Sequence, residues 1–318
     1  MRRLVSSAFV VVLASGCGGS SSSGSFTDGG AGSSGGGSGS GGITIGGTIN
    51  GDDGGIGCSD AAKLVYVLSA ENDLYSFDPP SKTFTKKGTL GCQTSMSPNS
   101  MAVSRDAVAW VNYTSDDDST GGVFQVSTSD ASCTATSITL GSGWTRLGMG
   151  FSSDAANSSD ETLYVAATGS DGVGFGLGGG SLGLGEIDLT SKALTPIGPF
   201  TGSLAGQSAE LTGTGTGLLY GFFTGTPVQV AQIDKSSGAT SNAVTMTGVE
   251  QPNYWAFSFW GGDFYLYTCN SDPSRTTNVT HYSPATGTID TSYMTNIGFR
   301  IVGAGVSTCA PTVQPVEH

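Results

Sequence analysis

Short stretches of alternating apolar and polar residues recur from Cys58 onward, separated by clusters of Gly, Asp, Asn and Ser. An alternation of period two predicts β-strands with one buried face, and the polar clusters predict turns between them. The stretch DLYSFDPPSKTF at 73–84 is typical, since it reads as two strands joined by a tight turn. No apolar period of 3.6 residues runs long enough to predict a helix, so the pattern indicates an all-β chain.

This hairpin returns four more times in degenerate form, and one apolar position is shared by all five copies. The shared positions are Phe77, Val126, Ile187, Ile233 and Tyr282. A repeat of about 40–50 residues with four strands is typical of β-propeller blades. The repeats therefore predict a five-bladed β-propeller, with two insertions in the third repeat.

The two ends of the repeat region are each incomplete. The first repeat begins at its second strand, whereas RIVGAGVS at 300–307 predicts an innermost strand with no repeat of its own. Pairing this C-terminal strand with the N-terminal blade closes the ring and removes its exposed edges. We expect the propeller to span 58–311, followed by a C-terminal tail at 312–318.

The cysteine positions fit such a closed ring. Cys58 precedes the first strand and Cys309 follows the last, so closure makes them neighbours and predicts a disulfide. Cys92 and Cys133 are expected to form a second disulfide between the first and second repeats. Other pairings stay open because spacing alone does not fix connectivity, and Cys269 is left without an assigned partner.

The N-terminus has the composition of an export signal. Arg2 and Arg3 precede ten mostly apolar residues at 4–13, and small residues at 14–16 precede Cys17. This resembles a bacterial lipoprotein signal with its lipobox, although Ala14 stands where Leu is commonest. The resemblance implies that the signal peptide at 1–16 is removed and that Cys17 is acylated. An ordinary secretory signal with an incidental cysteine is the alternative.

Residues 17–57 consist mainly of Gly and Ser, with few apolar side chains. Such a segment buries too little surface to offset its ordering entropy, so it is expected to be a disordered linker. Gly18 rather than Asp follows Cys17, which favours the outer membrane. The expected location is the cell envelope, where the lipid anchor holds a monomer to the membrane.

The composition of the chain argues against nucleic acid, a cofactor or a metal as a ligand. The formal net charge is −13, and 12 Lys and Arg residues are too few for a nucleic-acid surface. His281 and His318 are the only histidines. The aspartates at 52–53 and 116–118 lack the spacing of a calcium loop and are interpreted as solvated turns. Neither a cofactor nor a metal is therefore expected.

Four phrases carry a family resemblance: NSMAV at 99–103, AELTGTGTGLLYGFF at 209–223, AFSFWGGDFYLYT at 256–268 and IVGAGVSTCAP at 301–311. They resemble a family of uncharacterised bacterial surface lipoproteins with a propeller-like repeat domain. The resemblance covers about 58–311. It implies the fold and the lipid anchor, but it brings no activity.

Propellers usually present ligands at one end of the central channel, beside the innermost strands. Aligning those strands predicts a ring at the mouth made of Ser100, Arg146, Glu210, Trp255 and Arg300. The arginines are suited to an anionic group and Trp255 to a ring, which indicates a small polar or anionic ligand or a protein partner. Alternatively, Glu210 pairs with both arginines and plugs the channel.

The favoured function is therefore a binding module, with no catalytic residue assigned. The alternative is a carbohydrate-active hydrolase that uses Glu210 and Glu250 as its two carboxyl groups. Trp144 and Glu250 are expected near the same mouth. Arg146 and Arg300 would hold Glu210 ionised, which is unsuited to the role of general acid.

Overall fold

The computed structural model describes residues 57–156, 158–168, 180–272 and 274–315. The predicted signal peptide, Cys17 and all but the last residue of the 17–57 linker lie outside these ranges, as does His318. In the described ranges the chain forms twenty β-strands and two short 3₁₀-helices, Asp60–Lys63 and Gly202–Leu204. No helix among the described residues is long and apolar enough to cross a membrane.

The strands form five four-stranded antiparallel sheets, which we number as blades 1 to 5. Blade 1 contains β1 (Val65–Ser69), β2 (Asp73–Asp78), β3 (Thr83–Thr89) and the last strand, β20 (Ile301–Val306). Blade 2 contains β4 (Ser97–Val103), β5 (Val108–Thr114), β6 (Gly121–Ser127) and β7 (Cys133–Ala135). Blade 3 contains β8 (Leu147–Ser153), β9 (Glu161–Ala167), β10 (Gly183–Asp188) and β11 (Ala193–Gly198).

The remaining two blades complete the ring. Blade 4 contains β12 (Ala209–Gly213), β13 (Leu219–Phe223), β14 (Gln229–Ile233) and β15 (Thr240–Thr245). Blade 5 contains β16 (Tyr254–Trp260), β17 (Asp263–Cys269), β18 (Asn278–Ser283) and β19 (Thr288–Met294). The innermost strands β20, β4, β8, β12 and β16 each contact the next around the axis. The chain is therefore an all-β, five-bladed propeller.

Blade 1 is built from both ends of the described chain, as the incomplete repeats predict. β20 pairs antiparallel with β1, with Val65 opposite Val306 and Val67 opposite Ala304. The disulfide Cys58–Cys309 links the segments outside these two strands, and their Cα atoms lie 5.8 Å apart. The second predicted disulfide, Cys92–Cys133, is also present, with a Cα–Cα distance of 5.0 Å.

The apolar core lies between the blades. Five clusters of buried side chains occur among the described residues, one between each pair of adjacent blades. The shared hairpin positions all lie on the third strand of a blade, and each is at most 2% exposed. Between blades 4 and 5, Phe257 stacks on Phe264 with ring centroids 5.3 Å apart. In β1, for example, Tyr66 and Leu68 face the core between blades 1 and 2, whereas Val65 and Val67 face the core between blades 1 and 5. Period-two alternation thus directs the two faces of an inner strand into the cores on either side of its blade.

The innermost strands approach one another closely, because glycines stand where their backbones meet. A Cβ atom at Gly148 of β8 would collide with the backbone carbonyl of Ala209 in β12. A Cβ atom at Gly303 of β20 would lie 3.0 Å from the backbone nitrogen of Met101 in β4. The axis is therefore closely packed along these strands, and open space is found where the strands begin.

Candidate functional site

A cavity of about 280 Å³ lies at the end of the axis where the innermost strands begin. We call it the axial cavity. All five blades contribute to its lining. The lining residues used below are Asn99 from blade 2, Arg146 from blade 3, Glu210 from blade 4, Tyr254 and Trp255 from blade 5, and Val302 from blade 1.

Glu210 is the most buried charged group of this lining, with 2% of its surface exposed. Its Oε2 accepts a hydrogen bond from Ser100 Oγ at 2.9 Å and one from the Met149 amide at 3.4 Å. Burial raises the pKa of Glu210 well above its usual value, and these hydrogen bonds and Arg146 oppose that rise. The protonated acid therefore persists at pH values at which an exposed glutamate is ionised, and it can then donate a hydrogen bond.

Arg146 stands just before β8, and its charge is balanced by an acidic partner. Its Nε donates to Asp118 Oδ1 at 2.9 Å, and its Nη1 donates to Asn99 Oδ1. Asp118 is buried, and it occupies a left-handed backbone conformation with φ 52° in the β5–β6 turn. The interpretation of Asp118 as a solvated turn residue is therefore wrong, because the turn directs its carboxylate onto Arg146.

A buried asparagine fixes the orientation of Asn99. Asn112 of β5 is fully buried, and its Oδ1 accepts from Asn99 Nδ2 at 3.0 Å and from the Leu147 amide at 3.0 Å. Asn99 Nδ2 also donates to the Leu147 carbonyl at 2.7 Å. The Asn99 amide is thus held by protein contacts on both ends, and it holds Arg146 in turn. Such a prearranged polar group lowers the ordering cost of binding.

Two aromatic side chains from the start of β16 form the wall of the cavity on the blade 5 side. Tyr254 and Trp255 are both half-buried. Trp255 packs against the core between blades 4 and 5, and its buried Nε1 has no hydrogen-bond partner among the described residues. The Arg300 guanidinium covers the Tyr254 ring at 5.1 Å from its centroid.

The predicted mouth ring is only partly assembled at this cavity. Arg146, Glu210 and Trp255 line it, whereas Ser100 is fully buried behind Glu210. Arg300 lies elsewhere, because its guanidinium donates to the Asp272 carbonyl at 2.8 Å and to the Arg275 carbonyl at 3.4 Å. In the described part of the chain neither arginine forms an ion pair with Glu210, so the plug alternative is wrong.

Trp144 and Glu250, the other two residues expected at the mouth, do not line the axial cavity. Trp144 is buried in the core between blades 2 and 3. Glu250 is exposed, and it lines two cavities on either side of the β15–β16 loop rather than the axial cavity. Among the described residues that line the axial cavity, Glu210 is the only carboxyl group, so the predicted pair Glu210–Glu250 does not form.

Sequence reasoning missed Asn112, Asp118 and Tyr254 as parts of this site. Asn99 falls within the NSMAV phrase, but no role was assigned to it. The available signal was a buried-strand asparagine, since Asn112 stands between Val111 and Tyr113 in the mainly apolar stretch AVAWVNY at 107–113. A buried amide needs hydrogen-bond partners, so such a residue marks a polar network.

No protein-family model and no curated protein matches the chain. Solved structures that match it include TolB from Acinetobacter baumannii, at 17% identity and a TM-score of 0.42, covering 73% of this chain and 53% of TolB. Another is regucalcin from Agrobacterium tumefaciens, described as a calcium-binding protein, at 14% identity and a TM-score of 0.40, covering 68% of each chain. The chain thus spans about half the length of TolB. Similarities of this size assign no function to it.

Proposed function

We propose that the protein is a lipid-anchored binding protein of the cell envelope, and that its axial cavity holds a small, neutral, hydroxyl-rich ring such as a monosaccharide unit. The observation that carries this proposal is the lining of the cavity. It combines fixed hydrogen-bonding groups on one side, Asn99, Arg146 and Glu210, with the aromatic residues Tyr254 and Trp255 on the other.

The balance of charge favours a neutral ligand over an anion. Asp118 neutralises Arg146, and burial favours the uncharged form of Glu210 by raising its pKa. An anion entering the cavity would lose its hydration without meeting an uncompensated cation, which is costly. Hydroxyl groups, in contrast, both donate and accept, and they match an amide, a guanidinium and a carboxyl group.

The size and walls of the cavity support a single ring. A volume of about 280 Å³ lies just below the range of about 300–1,000 Å³ that is typical of small-molecule sites, which suits a ligand no larger than one ring. Tyr254 and Trp255 offer apolar surface with polar tips, which suits a ligand that has both apolar faces and polar edges.

Calorimetric titration of neutral monosaccharides, with the matching uronic acids alongside, tests this proposal. We expect a neutral sugar to bind to the wild type. Asn99→Ala should lower the affinity for that sugar by about tenfold or more, because losing a hydrogen bond removes about 1.4 kcal/mol of binding free energy. Asn242→Ala, on the exposed strand β15, is the matched control and should bind like the wild type. Preferential binding of uronic acids, or no difference between the two variants, would contradict the proposal.

One observation supports the alternative of a carbohydrate-active hydrolase: a buried carboxyl group with a raised pKa suits a general acid. A hydrolase of the usual kind needs a second carboxyl group, which the described lining lacks. Turnover assays on a glycan panel separate the two functions. Hydrolysis that Glu210→Gln abolishes would establish the enzyme, whereas binding without turnover favours the binding protein.

The lipid anchor rests on the signal at 1–16 and on Cys17, while the two disulfides are typical of an exported protein. We expect Cys17→Ser to move the protein from the membrane fraction to the soluble periplasmic fraction. Cys269→Ser changes another cysteine without a disulfide and should leave the protein in the membrane fraction. Membrane retention of Cys17→Ser would refute the anchor.

A further inference from the structure

A second cavity, of about 240 Å³, lies on blade 5 beside the axial cavity. We call it the rim cavity. It is bounded by the loop at 248–252 before β16 and by residues of the outer strands, including Thr280 of β18 and Thr291 of β19. Gly248 of the loop and Thr291 face each other, since a Cβ atom at Gly248 would lie 3.4 Å from Thr291 Cγ2.

One layer of residues separates the two cavities. Pro252 lines the rim cavity and the next residue, Asn253, lines the axial cavity. The Asn253 amide donates to the carbonyl of Cys269, which lines the rim cavity, at 2.9 Å. Tyr254 lies opposite Cys269 in the β16–β17 ladder. The two openings are therefore neighbours across this single wall.

The side chain of Arg300 lies over this wall. Its guanidinium lies over the Tyr254 ring at 5.1 Å and donates to the backbone carbonyls of Asp272 and Arg275. Arg300 is thus held flat against the wall by a cation–π contact and by hydrogen bonds. A chain that crosses from one cavity to the other would pass over Tyr254 and Arg300.

The described lining of the rim cavity is polar like one side of the axial cavity, although it contains no aromatic residue. Its hydrogen-bonding side chains are mainly neutral: Thr268, Asn270, Thr276, Asn278, Thr280 and Thr291. Two charged residues also line it: Arg275, which has Asp272 Oδ2 at 3.7 Å from its Nε, and the exposed Glu250. Neutral hydroxyl and amide groups of this kind match a ligand that carries many hydroxyl groups.

We propose that the axial and rim cavities are adjacent subsites for one extended, neutral oligosaccharide, with one sugar ring in the axial cavity and further units crossing Tyr254 and Arg300 into the rim cavity. This inference rests on the proposed function, because it extends the same site. It assigns Arg300 a place along the path of the ligand rather than at the channel mouth.

Titration with oligosaccharides of increasing length tests the inference. The probes are cello-, malto- and fully N-acetylated chito-oligosaccharides of one, two and four units, all of which are neutral. In the series that binds, we expect the four-unit probe to bind the wild type about tenfold or more tightly than the single unit. Thr291→Trp fills the rim cavity, so it should remove this gain and leave binding of the single unit unchanged.

The matched control is Thr195→Trp, which places the same side chain on the outermost strand of blade 3 at another exposed threonine. It should bind probes of every length like the wild type. Glu250→Trp on the exposed loop fills the rim cavity in a second way, and it replaces Thr291→Trp if that variant does not fold.

Two results would overturn the inference, and they have different consequences. Equal affinity for one unit and four units, with single-unit binding still lost in Asn99→Ala, would refute the rim subsite and leave the proposed function standing. Failure of every probe to bind the wild type would refute both.

Discussion

Two glutamates near opposite ends of the propeller axis, the buried Glu210 and the half-buried Glu161, differ in what surrounds their carboxyl groups. Glu210 lines the axial cavity where the innermost strands begin. Glu161 lies where they end: its Oε1 accepts from the Arg105 amide at 2.6 Å, and its Oε2 accepts from Thr308 Oγ1 at 2.8 Å. Burial raises the pKa of both residues.

The difference separates a structural role for Glu161 from a binding role for Glu210. Both oxygens of Glu161 accept hydrogen bonds from the protein, and its partners belong to blades 1 and 2, so it ties three blades together beside the Cys58–Cys309 disulfide. At Glu210 the bonds from Ser100 and Met149 both go to Oε2, and the residue lines open space. We therefore expect the Glu161 end to control stability and the Glu210 end to control binding.

The largest effect on stability should come from the disulfide at the Glu161 end. Its two cysteines are 251 residues apart in the chain, against 41 for Cys92–Cys133. Replacing Cys58 and Cys309 by serine should lower the free energy of unfolding by about 2–5 kcal/mol, and by about 1–2 kcal/mol more than replacing Cys92 and Cys133. Denaturant titration measures both losses. An equal or smaller loss for Cys58–Cys309 would contradict its role in ring closure.

Glu161→Ala should have the next largest effect. The Arg105 amide and the Thr308 hydroxyl would lose their acceptor in a poorly hydrated place, which costs about 1–3 kcal/mol of unfolding free energy. Sugar binding at the far end of the axis should be unchanged. Glu250→Ala removes an exposed glutamate and serves as the control, with a change below about 0.5 kcal/mol. Loss of sugar binding in Glu161→Ala would contradict the claim that the Glu161 end controls stability and the Glu210 end controls binding.

Glu210→Gln should have a smaller effect on stability, and one that depends on pH. The pKa of Glu210 is raised in the folded state, so above the unfolded value of 4.5 the folded protein keeps a proton that the unfolded chain releases. Wild-type stability should therefore fall, relative to Glu210→Gln, as the pH rises above 4.5 toward the raised pKa of the folded state. Urea titrations at several pH values measure this difference.

Glu161→Gln provides the comparison for that experiment. The pKa of Glu161 is also raised, so the same pH trend is expected, but only Glu210→Gln should alter sugar affinity. Parallel stability curves for the wild type and Glu210→Gln across this range would mean that Glu210 titrates like an exposed acid, which would contradict its burial.

The sequence was informative wherever a feature depends on local pattern. Alternation, repeat spacing and the two incomplete ends predicted five blades, their closure and both disulfides, because each follows from positions along one strand, at an end of the repeat region or in two neighbouring repeats. The expectation for Arg300 failed because its place before β20 fixes its backbone but not its side chain, which is directed by Tyr254 and two carbonyl groups.

The sequence could indicate through Asn112 that a polar network exists, but it could not identify the partners in that network, for a related reason. Asp118 reaches Arg146 through a left-handed turn, and Asn112 joins Asn99 to the start of β8. These contacts link segments that lie far apart in the chain, and no alternation or spacing encodes them. The loop that carries Glu250 likewise turns toward blade 5 and away from the axis.

A crystal structure of the protein with the tightest-binding sugar tests the central claim most directly. The claim predicts one sugar ring in the axial cavity, between Asn99 and Arg146 on one side and Tyr254 and Trp255 on the other, with a hydroxyl group in hydrogen-bonding distance of Glu210. A sugar bound elsewhere, with only water in the axial cavity, would contradict it.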